Sequence, residues 1–164
     1  MRRKRFFALT LALVFGLLCC SCGKEGHPFE GFPEPFEANV EGEWNGVALN
    51  ATVKAEKAAP DGTRQITMTF YAPDALCGTT LCRRTDGSFF GSVGEWQLPL
   101  GADLAPLLDL FSADIAPKRV SLTEQGLTAV ETEAARYLFL PDNTLYRIEA
   151  SQGALNVISI TCGE

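Results

Sequence analysis

The sequence holds a single histidine, His27, in a stretch rich in Gly, Pro and Glu. That scarcity removes Ser-His-Asp and Cys-His catalysis from any folded region further along. There is no G-x-S-x-G, Walker A loop, G-x-G-x-x-G or H-E-x-x-H, so no catalytic residue, cofactor or metal ligand is assigned. Long apolar runs are also missing. The longest, Phe6 to Leu18, has 13 residues. As a helix it would rise only ~20 Å against a hydrocarbon core of ~30 Å, which disfavours a permanent span. Positive charge is short as well: 14 Lys and Arg face 20 Asp and Glu, a net charge of −6. Past the first residues no basic cluster exceeds Arg83-Arg84 or Lys118-Arg119, which excludes nucleic acid as a partner.

What is present begins at the N-terminus. Arg2, Arg3, Lys4 and Arg5 precede the apolar run, the order of a signal peptide's n- and h-regions. Three of the six cysteines, Cys19, Cys20 and Cys22, follow directly. The end of the run resembles a bacterial lipobox, with Ser21 before and Gly23 after Cys22, although Cys19 stands where leucine is usual. The resemblance implies that residues 1–21 are removed and that Cys22 is acylated. Acyl chains there would anchor the protein on the extracytoplasmic face of a bacterial membrane. An uncleaved anchor is the alternative reading. Removal would take four of the 14 basic residues and no acidic one, leaving ten against 20 and a net charge of −10. Residues 22–35, including "GKEGHPFEGFPEP", have the composition of a tether. Within and just after it, Phe29, Phe32 and Phe36 are placed either to dock on the domain or to lie in a loose spacer.

From residue 36 to 164 the dominant period is two, the signature of half-buried strands. "FEANVEGEW" sets Phe36, Ala38 and Val40 against Glu37, Asn39 and Glu41, and "VALNATVKAEK" continues the alternation. Asn45-Gly46 between them predicts a type I′ hairpin, since both residues tolerate positive φ. Further turns are expected at Pro60-Asp61-Gly62, Asp86-Gly87, Gln125-Gly126, Pro141-Asp142-Asn143 and Gln152-Gly153. Glu41/Glu43 and Glu131/Glu133, two apart on strands, read as solvated faces rather than acid–base pairs. One segment changes period: Leu104, Leu107, Leu108 and Phe111 form an i, i+3, i+4, i+7 stripe, predicting a helix near 102–113 with Asp103 as candidate cap. The expected fold is mainly β: one strongly curved, unclosed antiparallel sheet of about ten strands wrapped on one short helix.

The stretch "YAPDALCGTTLCRRTDGSFFGSVGEWQLPL" (Tyr71 to Leu100) carries a family resemblance. Pro73 ending a strand, Leu76 and Gly78 before Thr80, and the Asp86-Gly87 hairpin resemble small Gram-positive-type lipoproteins and the half-barrel of LolA/LolB-like lipoprotein carriers. The resemblance implies a concave face that binds acyl chains under a helical lid. Carried to this chain, the candidate ligand-binding set is Phe70, Tyr71, Phe89, Phe90, Trp96, Leu104, Leu107, Leu108 and Phe111. With only one helix in view, the same residues equally describe the core of a one-helix β domain.

Cys77, Cys82 and Cys162 remain outside the lipobox. A Cys77–Cys82 bridge across a tight hairpin, pairing of either with Cys162, and three free thiols are the alternatives. Two function classes stay open. One is a non-enzymatic, membrane-anchored lipoprotein binding a lipid or acylated ligand in its concave face. The other is an interaction or structural lipoprotein with an envelope protein as partner and no small-molecule ligand.

Overall fold

The computed structural model describes Phe32 and residues 35–60, 63–98, 104–112 and 116–162. The expected signal peptide 1–21, the acylated Cys22, most of the tether with Phe29, the Asp61-Gly62 turn and the Asp103 cap lie outside the described residues. Eleven strands follow one another: β1 (Phe36–Trp44), β2 (Val47–Ala55), β3 (Ile66–Ala72), β4 (Thr79–Arg83), β5 (Phe89–Val93), β6 (Trp96–Leu98), β7 (Arg119–Leu122), β8 (Thr128–Glu131), β9 (Ala135–Phe139), β10 (Leu145–Ala150) and β11 (Gly153–Cys162). Among the described residues one α-helix, α1 (Ala105–Asp109), stands between β6 and β7, and a single 3-10 turn, Asp74–Leu76, lies between β3 and β4.

All the strands join one antiparallel sheet in the order β6-β5-β4-β3-β2-β1-β11-β10-β9-β8-β7, which does not close. It is two meanders joined where β1 pairs with β11, bringing the first and last strands together at the centre. The architecture is the unclosed half-barrel expected from the sequence. The alternation decides the facing. Phe36, Ala38, Val40 and Trp44 are buried on β1 while Glu37, Asn39, Glu41 and Glu43 are exposed. On β3, Ile66, Met68 and Phe70 turn inward and Tyr71 outward. Asn45 and Gly46 take φ of 50° and 78°, as the hairpin requires.

Curvature has local causes. Register shifts between Asn39 and Val40, Asn50 and Ala51, and Leu145 and Arg147 each add an unmatched residue, which bends and twists a strand. At the β1–β11 seam the backbones approach so closely that a Cβ on Gly42 would lie 2.0 Å from Ala154 O, and one on Gly153 2.0 Å from Glu43 O. Only glycine fits there. Gly153 therefore opens β11 rather than serving as the second residue of the expected turn, which falls on Ser151 and Gln152.

Of the predicted 102–113 helix, residues 102, 103 and 113 lie outside the described residues. α1 covers Ala105–Asp109, with Leu104 in the cap position and no side-chain cap bond. Pro106 in the first turn fits there because its missing N–H would have no intrahelical partner. So short a helix is not stable by itself, and tertiary packing holds it.

Candidate functional site

The concave face of the half-barrel is built from the inward residues of the strands and is occupied by α1. Leu107, Leu108 and Phe111 are each 0% exposed, packed with Phe70, Met68, Leu81 and Ile148 of the sheet. Two buried polar side chains fix the helix's C-terminal end. The Tyr137 hydroxyl donates to Leu110 O at 2.8 Å, and Arg64 Nη2 donates to Phe111 O at 2.6 Å. These carbonyls belong to the helix end that lacks intrahelical donors. Burial pushes the Tyr137 phenol well above its ordinary value, so it stays a neutral donor. Arg64 also stands over the Phe36 ring, 5.3 Å from its centroid. At the helix's other face Arg83 pairs with Asp109, tying α1 to β4.

Beside this end lies an aromatic cluster. Phe32 stacks on Phe36 at 4.9 Å, meets Phe111 at 5.5 Å, and turns its ring against the edge of Tyr137 at 6.2 Å. Phe32 is buried, so the chain docks on the domain before β1 begins.

The apolar lining continues beyond the helix to both edges of the sheet. In one direction the inward register runs Val40, Ala51 and Phe70 on β1 to β3, and Thr79, Val93 and Trp96 on β4 to β6. In the other it runs Leu145, Phe139, Thr128, Leu122. Burial is complete in the middle and lost at the ends: Trp96 is 79% exposed and Leu122 75%. Val93 and Val120 beside them are also exposed. The edge strands β6 and β7 thus present two apolar lips on the inner side.

The nine candidate ligand-binding residues divide accordingly. Phe70, Leu107, Leu108 and Phe111 come together in the buried centre, with Leu104 and Phe89 half-buried against it. Trp96 stands at a lip. Tyr71 and Phe90 are on the opposite, convex face. The Tyr71 hydroxyl lies 3.3 Å from Thr52 Oγ1, and the Arg84 guanidinium lies 4.5 Å from the centroid of the Phe90 ring. Thr52 donates to Asn39 Oδ1 at 2.6 Å, and Asn39 donates on to Ser159 Oγ at 2.9 Å, a polar chain across the outside of the central strands.

Sequence reasoning passed over Arg64, Val120, Leu122 and Tyr137. A signal existed for the first three. Arg64 continues the Ile66, Met68, Phe70 alternation backwards, and Val120 and Leu122 alternate with Arg119 and Ser121, so parity places all three inward. Tyr137 sits in a run where both neighbouring faces are apolar, and Leu138 is buried on the outer side.

Cys77, Cys82 and Cys162 are free thiols in the structure, so the Cys77–Cys82 bridge is not formed. Residues 73–78 turn between β3 and β4. Cys77 is exposed in that turn, whereas Cys82 lies inside β4, paired with Thr67 and Phe90. Burial raises the Cys82 thiol pKa, which disfavours the reactive thiolate. Among the described residues no group of His, Cys, Asp and Glu is arranged to hold a metal ion.

No protein-family model and no curated protein matches the chain. Solved structures do resemble it. MucB superposes with a TM-score of 0.51 at 13% identity, over 80% of this chain and 54% of that one. An uncharacterized conserved protein from Thermus thermophilus gives 0.47 at 13% identity, covering 81% of each chain. A LolA superfamily protein from Nitrosomonas europaea gives 0.44 at 10% identity, over 84% of this chain and 90% of that one. At such identity the MucB likeness is one of fold.

Proposed function

We propose that this chain is an exported, membrane-anchored lipoprotein without catalytic activity that binds an apolar ligand, such as an acyl chain, on the inner side of its half-barrel. The observation that carries the reading is the inward row, apolar except for Thr79 and Thr128, which leaves the sealed centre and ends in solvent at Trp96 and Leu122. Single exposed apolar residues are ordinary on a protein surface. Here two apolar pairs, Val93 with Trp96 and Val120 with Leu122, lie on the same face, at opposite ends of one sheet, flanking one helix. Acylation of Cys22 would hold that face near lipid, and the acidic remainder of the chain needs no charge attraction to anionic headgroups for its attachment.

The absence of a histidine from residues 36–164 and the raised Cys82 thiol argue against hydrolytic chemistry on this scaffold. A second reading draws on a different observation, the complete burial of Leu107, Leu108 and Phe111. If the helix is permanent core, the protein acts on an envelope partner through its outer surface.

Native mass spectrometry of the full-length protein purified from bacterial membranes, with lipid extraction, separates the two. The first reading expects a reproducible non-covalent acyl species that is depleted in the W96S/L122S double variant. A bare protein mass in both forms supports the second. Intact-mass analysis of the protein extracted from membranes is expected to find an N-terminus at Cys22 carrying added acyl mass, and an unmodified Cys22 would contradict acylation at that site.

A further inference from the structure

Phe32 belongs to no strand or helix, yet its ring is 5% exposed. It sits where both halves of the sheet meet the helix, because among the described residues it has aromatic neighbours on β1 (Phe36), just past α1 (Phe111) and on β9 (Tyr137). Each wall of this slot is positioned by something other than Phe32. Phe36 is held by its pairing with Ala55 and Cys162 and by the guanidinium over its ring. Phe111 is held through its carbonyl by Arg64. Tyr137 is held by β9 and by its bond to Leu110. Phe36 and Phe111 also face one another directly, with centroids 6.5 Å apart. The walls are therefore preorganised, and the ring filling them arrives from a stretch with the composition of a linker.

We propose that this slot is a binding site for the end of an acyl chain, occupied in the free protein by the chain's own Phe32, which leaves when ligand enters. The proposal rests on the apolar-ligand reading above and adds to it a location and an internal competitor. A resident competitor lowers apparent affinity by the fraction of time the slot is open, so weakening it raises affinity without any new contact. Phe32 also lies ten positions after Cys22, which at ~3.5 Å per residue keeps an acylated terminus within about 35 Å of the slot while the ring is seated. Ligand entry would loosen that connection.

The test titrates the full-length protein with 11-(dansylamino)undecanoic acid, a fluorescent fatty acid. Four forms are compared: unmodified, F32A, F32L and L49A. Leu49 is a buried residue at the other end of β2, where it pairs with Gly42 rather than with the slot. The proposal expects F32A to bind at least ten-fold more tightly than the unmodified protein, F32L to fall between them, and L49A to match the unmodified form. Should F32A not fold, a gain in F32L of about three-fold over the unmodified protein carries the same meaning. Equal affinities in the unmodified protein and the Phe32 variants would overturn the proposal while leaving apolar binding intact. An equal gain in L49A would overturn it too, since it would report general loosening of the core. No binding in any form would overturn both the slot and the ligand reading.

Discussion

Tyr137 and Arg64 place hydrogen-bond donors inside an apolar interior, where an unsatisfied donor or acceptor costs ~1–3 kcal/mol. They are tolerable because two helix-end carbonyls need donors, and each supplies one. Removing the Tyr137 hydroxyl should cost about 1 kcal/mol and leave Leu110 O unpartnered by that group, which urea unfolding of Y137F at neutral pH would register. The same residue sets an alkaline limit. Its folded pKa is raised by burial above the ordinary value of 10.0, so the unfolded chain loses the proton first. The associated stability is fully present below about pH 10 and is lost as pH rises towards the folded value. Melting followed from pH 8 to 11 should fall in the unmodified protein and fall less steeply in Y137F. Parallel curves would remove Tyr137 from the explanation. Leu108, with no exposure at all, is a packing residue, and L108A is expected to lose ~2–5 kcal/mol in the same unfolding assay.

At the scale of elements, the strands were legible because alternation and turn chemistry agree, as at Asn45-Gly46 and at Asp142-Asn143, where Asn143 adopts a φ of 65°. The helix was legible from its leucine stripe, whereas four residues of periodicity do not say where the first and last hydrogen bonds form. The face of a strand was legible from parity. The separation of Tyr71 and Phe90 from Phe70 and Phe89 follows from that rule, although membership in a common aromatic stretch obscured it. What parity cannot supply is curvature. The tight β1–β11 seam needs two strands distant in sequence, and only then do Gly42 and Gly153 acquire a reason. Substituting Ala for Gly153 drives a methyl into Glu43 O and should cost about 3 kcal/mol, the upper end of overpacking penalties. A G153A midpoint in urea close to that of the parent would mean the seam can spread. By contrast the Arg83–Asp109 pair, with side chains 38% and 47% exposed, should contribute less than ~1 kcal/mol, so R83A is expected to unfold near the parent midpoint.

For the whole molecule, an unclosed sheet leaves a choice that a barrel does not: its inner face must be filled by the chain itself, by a ligand, or by both in turn. Here α1 and Phe32 fill the centre and the lips remain bare. Of this arrangement the sequence carried the helix and Trp96, and it named Phe32 among the rings able to dock. It could not show that the row ending at Trp96 has a counterpart ending at Leu122, since the two strands join the same face only after the whole sheet has formed. The central claim is that an apolar ligand covers this inner rim. The protein has two tryptophans, Trp44 in the core and Trp96 at the lip. In a W44F background Trp96 becomes the sole indole, and its emission in the presence of a dibrominated fatty acid is the most direct measurement. Binding at the rim predicts a saturable quench of an initially water-exposed emission, with an undiminished blue shift when the unbrominated acid is used instead. Emission that stays at the water-exposed position and intensity with both acids would contradict the claim.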